Sequence, residues 1–156
     1  PERALVLEFR FPAGLPGGRL SVGFSLADRE GALDFPPATL DWTFADHAAN
    51  DRQMRDRAVD AAVAEIFAAR AREKALEQNR RGDYDAARLT LNQTAARIRQ
   101  YAGNDKILNG IAMSVSEAVQ EYGESMSSDQ MKGCFYQVQY SLHDRDTEGK
   151  SKRPGK

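Results

Sequence analysis

The clearest structural signal in this chain is the sequence EQNRRGDYDAAR at positions 77–88. Gly82 is typical of the residue that ends a helix, and the two arginines before it suit the last turn, where basic side chains are favourable. Asp83 is typical of the N-cap of a following helix, which would begin at Tyr84. So short a connection predicts two antiparallel helices packed as a hairpin.

Apolar residues on both sides of this turn recur every three to four positions, as they do along one face of a helix. The preceding helix is predicted over residues 48–80, and its apolar stripe comprises Val59, Val63, Ile66, Phe67, Ala71, Ala75 and Leu76. The following helix is predicted to end at Gly103, and its stripe comprises Tyr84, Ala87, Leu91, Thr94, Ile98 and Tyr101.

A third helix is predicted after Gly103, with Asn104 as its N-cap. Its apolar face comprises Leu108, Ile111, Val115, Val119, Tyr122 and Met126. Residues 131–142 fit the spacing of a helix and the alternation of a strand equally well. We favour a helix, because Ser127 and Ser128 just before this segment are good N-cap residues.

Before position 47 the pattern changes to the apolar–polar alternation of antiparallel strands with one buried face. Three segments alternate in this way, with apolar positions at Leu5, Leu7, Phe9 and Phe11, at Leu20, Val22, Phe24 and Leu26, and at Leu40, Trp42 and Phe44. We therefore predict an α+β fold, in which a small antiparallel sheet of about three strands precedes an antiparallel bundle of three to four helices. The predicted ranges are 1–46 for the sheet, 47–143 for the bundle and 144–156 for a flexible charged tail.

The composition is typical of a folded protein but favours no particular class of function. The 22 basic and 23 acidic residues give a net charge of −1, which favours neither nucleic acid nor an anionic membrane as a partner. No uncharged apolar run approaches the length of a membrane span. The single cysteine, Cys134, excludes an intrachain disulfide and favours a reducing, cytoplasmic location. Because the chain begins with Pro1 instead of methionine, we expect it to be a fragment of a longer protein.

The sequence contains no recognisable catalytic, cofactor or metal motif. It has neither a phosphate-binding glycine loop nor a G-x-S-x-G motif. His47 and His143 stand at opposite ends of the helical region, whereas a metal needs several converging ligands. On a helix, Cys134 and His143 would be about 13 Å apart, too far for the histidine to activate the thiol. We therefore expect a non-enzymatic protein that needs no cofactor or metal.

The most basic segment of the chain offers a candidate interaction surface, comprising Arg70, Arg72, Lys74, Arg80, Arg81 and Arg88. Acidic residues are interleaved with it, which is typical of a solvated helix face with ion pairs such as Glu77–Arg81. The alternative is that this basic surface and the basic tail bind nucleic acid or another anionic ligand.

Two resemblances to known families follow from these segments. The turn GDYDAA resembles the turn and second-helix start of a tetratricopeptide hairpin, but no second copy occurs 34 residues away. Over residues 1–150 the chain resembles the region downstream of the von Willebrand factor type A domain in a group of bacterial proteins. This resemblance rests on the order of elements and on the segments Ala69–Leu76, Arg81–Arg88 and Tyr101–Asp105.

The second resemblance implies an accessory module that supports the A domain or contacts other partners. The metal motif of that domain, Asp-x-Ser-x-Ser, does not occur here, so no metal-binding role carries over. We expect a non-catalytic protein-interaction or scaffold module, whose partner is another protein or the missing A domain. A three-stranded sheet would leave a large apolar face wet, so we also expect a homodimer through the sheet. The residues expected to have structural roles are Trp42, Gly82, Asp83, Tyr84, Gly103 and Asn104.

Overall fold

The fold is α+β, as predicted: a two-stranded antiparallel sheet is followed by helices. The structure is a computed structural model that describes residues 6–27, 29–31 and 35–142. Leu5 of the first predicted strand, His143 and the predicted tail 144–156 lie outside these residues. The contacts divide the chain into two compact units. The hairpin unit spans Glu8–Arg55, and the helical unit contains the chain from Asp56 onward.

The hairpin unit contains the sheet and one short helix. Strand β1 (Arg19–Phe24) pairs antiparallel with β2 (Ala38–Thr43). The cross-strand pairs on the apolar face are Leu20 with Trp42, Val22 with Leu40, and Phe24 with Ala38. The pairs between them carry smaller or polar residues on the opposite face, such as Ser21, whose hydroxyl donates to the Asp41 carboxylate.

The prediction of about three strands is wrong for the first of them. In the described part of residues 5–11 no strand forms, and the sheet of the described chain has two strands, β1 and β2. The alternation in this segment has a different origin, because its aromatic rings contact those of the sheet. The ring centroids of Phe9 and Phe24 are 5.4 Å apart, and those of Phe11 and Trp42 are 5.1 Å apart.

The predicted helix 48–80 is interrupted. Helix α1 (His47–Asp51) ends early, and α2 (Arg57–Arg80) begins after a five-residue gap at 52–56. The interruption has a local cause, because each helix has its own aspartate N-cap. The Asp46 carboxylate accepts from the backbone N–H of Ala49 at 2.7 Å, and that of Asp56 accepts from Ala58 at 2.9 Å.

The helical unit contains α2, α3 (Tyr84–Ala102), α4 (Lys106–Tyr122) and α5 (Ser128–Leu142). Helix α2 packs against the three others, and α3 also packs against α4. The ambiguous segment 131–142 is helical, which confirms that prediction. The apolar faces predicted for the second and third long helices are also confirmed, since their fully buried side chains include Leu91, Ile98, Leu108, Val115 and Tyr122.

The apolar stripe predicted for α2 is confirmed in part: Ala71, Ala75 and Leu76 are buried, and Val63 and Ile66 are half-buried. Its two other residues are not part of the core. Val59 is 57% exposed and Phe67 is 38% exposed. The inward face carries mostly small side chains: Ala64 and Ala68, which the prediction left out, lie there with Ala71, Ala75, Leu76 and Asn79. Small residues allow α3, α4 and α5 to approach one helix closely, and this explains why α2 can contact all three.

The hairpin turn between α2 and α3 is formed as predicted at Gly82 and Asp83. Gly82 has a φ of +77°, and its N–H bonds to the carbonyl of Asn79, while the N–H of Asp83 bonds to that of Gln78. This is the double hydrogen-bond pattern of the Schellman motif. The Asp83 carboxylate then accepts from the N–H of Ala86 at 3.1 Å and caps α3, which begins at Tyr84.

The start of α4 differs from the prediction by one residue. Gly103 ends α3 with a φ of +53°, as expected. The N-cap is Asp105, not Asn104, because the Asp105 carboxylate accepts from the N–H groups of Ile107 and Leu108. Asn104 lies in the turn before it.

Candidate interaction surface

The six basic residues predicted as an interaction surface do not act as one group. Arg70, Lys74, Arg80 and Arg81 are exposed, whereas Arg72 and Arg88 are half-buried. The guanidinium of Arg80 lies 5.8 Å from the ring centroid of Phe135, a cation–π distance. The predicted pair Glu77–Arg81 does not form within 4 Å; Arg81 is the C-cap residue of α2.

Arg88 and Arg72 are engaged within the helical unit. Arg88 donates from Nη1 to the carbonyl of Gly123 and from Nη2 to the Asp85 carboxylate at 2.6 Å. Arg72 donates from Nη2 to the hydroxyl of Ser114 on α4 at 2.8 Å. The bonds to Gly123 and Ser114 hold α4 to its neighbours, so two of the six predicted residues contribute to the packing of the fold.

A second surface lies on the hairpin unit, where aromatic rings gather over one side of the sheet. We call this group, formed by Phe9, Phe11, Phe24 and Trp42, the aromatic face. Its rings contact one another: besides the two pairs already described, Phe9 and Trp42 have centroids 6.5 Å apart. Rings at such distances attract each other in edge-to-face and tilted arrangements.

None of the described residues of the hairpin unit is buried. Phe9 is 42% exposed and Phe11 is 45% exposed, while Leu40 on the same strand as Trp42 is 52% exposed. Phe24 and Trp42 are half-buried, and they are covered only in part. The sheet therefore presents contiguous apolar surface, which in soluble proteins marks sites of interaction.

The aromatic face is not flat. A concavity of about 250 Å³ lies beside it, lined by Phe11, Trp42, Thr43, Phe44, Ala45 and Asn50. Phe44 is fixed in place by the neighbouring loop, whose Gly17 N–H donates to the Phe44 carbonyl at 2.7 Å. A side chain at Gly14 would collide with the Phe44 ring, because a Cβ there would lie 2.6 Å from it. The loop glycine thus lets the chain pass close to the ring.

Within the described residues each strand of the sheet also has a free hydrogen-bonding edge, because β1 and β2 pair only with each other there. Unpaired strand edges are templates for a further strand from another chain or another part of the same protein. The aromatic face and the two edges belong to one small unit. The apolar–polar alternation in the sequence identified the apolar residues of this face and predicted that a partner covers it, and Trp42 was predicted to have a structural role.

Two titratable side chains, Cys134 and Tyr122, are buried next to each other in the helical unit, and the exposed Glu121 lies beside them. The Cys134 thiol donates to the Glu121 carboxylate at 3.5 Å. Burial, and then the neighbouring thiol, raises the pKa of Tyr122 well above its usual range. Burial also raises the pKa of the Cys134 thiol, as does the charge of Glu121, while the Tyr122 hydrogen bond acts against it. A thiol in this state is protonated and unreactive at neutral pH.

Within the described residues, no group of three or more histidine, cysteine, aspartate and glutamate side chains is placed to hold a metal ion. His47 is exposed at the start of α1. No described helix combines the length and apolarity needed to cross a membrane. Comparison of the chain with known protein families, with curated proteins and with solved structures finds no match.

Proposed function

We propose that the chain is a non-catalytic protein-interaction module and that the aromatic face is its binding surface. The observation that carries this proposal is the absence of any buried residue among the described residues of the hairpin unit, although four aromatic rings gather there. Single exposed apolar residues are ordinary on protein surfaces. A contiguous aromatic group is different, because aromatic residues are enriched where proteins bind one another.

The hairpin offers a partner two kinds of contact. A strand added to the free edge of β1 or β2 would form main-chain hydrogen bonds, as in β-augmentation. Apolar side chains of the same partner would cover the aromatic face and enter the concavity beside Trp42 and Phe44. The strand edge gives affinity through the backbone, and the aromatic face gives specificity through side-chain fit.

The partner we propose is β-structure that flanks a von Willebrand factor type A domain in the same parent protein. Support for this choice comes from the sequence resemblance and from the small size of the sheet, since two strands alone rarely form a stable unit. The basic surface has no part in the proposal, because Arg72 and Arg88 are bonded within the helical unit.

Trp42 makes the proposal directly testable, because it is the only tryptophan in the chain. Its fluorescence would be recorded for the full chain alone and after addition of the polypeptide encoded directly upstream in the same reading frame. We expect saturable binding with a shift of the emission to shorter wavelength, because the partner removes water from the indole. The double variant Phe9→Ser/Phe11→Ser should lose most of this binding.

The matched control is Leu89→Ser, which removes an apolar side chain of similar exposure from α3, 57% exposed and outside the hairpin unit. It should bind like the parent chain. Light scattering over a dilution series identifies a second copy as the occupant if the mass doubles and the emission changes with it. A strict monomer that binds neither the upstream polypeptide nor a hydrophobic dye would overturn the proposal.

A further inference from the structure

The helical unit contains a groove that is not part of the proposed protein-binding surface. It has a volume of about 380 Å³ and lies between α2 and α4, with the end of α5 at one side. The residues that matter for its chemistry are Glu65, Arg72, Ile107, Gly110, Ile111 and Ser114. This volume falls in the range of small-molecule sites and is far larger than a single inorganic ion needs.

Arg72 is the polar centre of the groove. Its guanidinium is half-buried and donates to the Ser114 hydroxyl at 2.8 Å. A guanidinium has five N–H donors, and within the described part of the helical unit no carboxylate lies within ion-pair distance of it. Arg72 can therefore offer further donors to an anionic group that enters the groove, and Ser114 lies beside it as a second polar group.

Gly110 provides a second, independent observation that points to a binding site in the groove. It lies inside α4, where glycine stabilises a helix less than alanine does. The fold does not require glycine here, because a Cβ at this position would meet no other atom within 4 Å. A Cβ at Gly133 of α5 would likewise meet no atom within 4 Å, so a glycine inside a helix does not by itself indicate a binding site. Gly110 differs from it by lining the groove next to Arg72, where the absent side chain keeps the space open.

The rest of the lining limits the kind of ligand. Ile111 is half-buried, and Ile107 is 63% exposed beside it, so the α4 wall is apolar. Glu65 lies seven residues before Arg72 on α2, which is about 10 Å along the helix axis. A ligand that reaches both ends would place a second negative charge next to a carboxylate.

We propose that this groove binds a small organic monoanion, whose carboxylate pairs with Arg72 and whose apolar body lies on Ile107 and Ile111. Arginine suits a planar carboxylate because it donates two parallel hydrogen bonds. The proposal is independent of the proposed function, since it concerns residues of the helical unit alone.

The test is a titration of the full chain, labelled with ¹⁵N, with sodium hexanoate. We expect saturable shifts of the amide signals of Gly110 and Ser114. Adipate has the same length with a second carboxylate and should bind more weakly because of Glu65. Hexanamide lacks the charge and inorganic phosphate lacks the apolar body, so both should bind more weakly than hexanoate.

Two pairs of variants separate binding from folding. Arg72→Gln should weaken hexanoate binding about tenfold or more, since a charge-assisted hydrogen bond is lost. Its control is Arg99→Gln, because Arg99 also donates to an α4 serine, Ser116, at 2.6 Å, but does not line the groove. Gly110→Leu should fill the space and abolish binding, and Gly133→Leu should leave it unchanged.

Three results would overturn the proposal. The first is the absence of saturable shifts with hexanoate. The second is equal weakening by Arg72→Gln and Arg99→Gln. The third is unchanged binding in Gly110→Leu, which remains informative even if the arginine variants unfold.

Discussion

The side-chain amide of Asn79, in the last turn of α2, donates a hydrogen bond of 2.8 Å to the main-chain carbonyl of Tyr122 at the end of α4. The same amide donates to the carbonyl of Glu124. Asn79 is 2% exposed, so these bonds are shielded from water. The C-terminal carbonyls of a helix lack partners within the helix, and here a side chain from a neighbouring helix supplies one.

Asn79→Ala should destabilise the protein by about 2 kcal/mol, because it leaves a buried carbonyl without its donor. Urea unfolding followed by circular dichroism would measure the change. Asn92→Ala on α3 is the control, since that side chain is exposed and its loss should cost less than about 0.5 kcal/mol. Equal effects of the two substitutions would show that the bond to Tyr122 contributes no stability.

The bond of Asn79 also illustrates why part of the fold could not be predicted from the sequence. The turn at Gly82 and Asp83 was predictable, because its signals are local and lie within a few residues. A single asparagine in a polar helix end gives no indication of a partner 43 residues away. The sequence likewise gives no indication that Arg88, which has the pattern of a surface charge, donates to the carbonyl of Gly123.

The hairpin unit shows a different limit. Alternation identified its apolar residues correctly, yet it could not distinguish a strand from a segment whose rings only contact a sheet. Phe9 and Phe11 alternate as strand residues do, but β1 and β2 leave them without a hydrogen-bonded partner strand. The sequence therefore indicated an apolar face that needs a partner, but not that Phe9 and Phe11 reach this face from outside a strand.

The stability of the helical unit should fall at alkaline pH. Burial raises the pKa of the Cys134 thiol above its ordinary 9.0, and that of Tyr122 above its ordinary 10.0. The folded state thus holds these protons more tightly than the unfolded chain does. The resulting stability is fully present below the ordinary pKa of the thiol and is lost as the pH rises from there through the raised pKa of the folded state.

We therefore expect the free energy of unfolding to decrease as the pH rises from about 9 to above about 10. Cys134→Ala should reduce the slope over this interval, whatever its effect at neutral pH, and Tyr122→Phe should reduce it at the upper end. Tyr136→Phe is the control, because Tyr136 is 56% exposed. A slope that is identical in the parent chain and Cys134→Ala would contradict the expectation.

Gly82→Ala should destabilise the protein by about 1 kcal/mol. The φ of +77° at this position is strained for any residue with a Cβ. Nothing lies within 4 Å of where the Cβ would be, so the cost is conformational and not steric. Gly110→Ala is the opposite case, since it lies inside a helix without a positive φ and should stabilise by up to about 1 kcal/mol. Thermal unfolding of both variants should give melting temperatures on opposite sides of the parent value.

Helix α2 allows a comparison between the core face predicted from the sequence and the face that the structure buries. The stripe predicted from the sequence places Val59 and Phe67 on the same face as Ala75. The structure places Ala75 fully inside, with none of its surface exposed, and leaves Val59 57% exposed. Since α2 contacts α3, α4 and α5 at once, its buried alanines leave no room for larger side chains.

Ala75→Leu should therefore destabilise the protein by about 2 kcal/mol through overpacking, although it adds an apolar group to a helix. Val59→Ala should change the stability by less than about 0.5 kcal/mol, because the valine is mostly in water. Urea unfolding of both variants measures the two effects under the same conditions. The apolar stripe predicted from the sequence contains both residues, so it predicts a large loss from Val59→Ala as well as from Ala75→Leu. A large loss from Val59→Ala would mean that α2 also packs through Val59 and not only through its alanines.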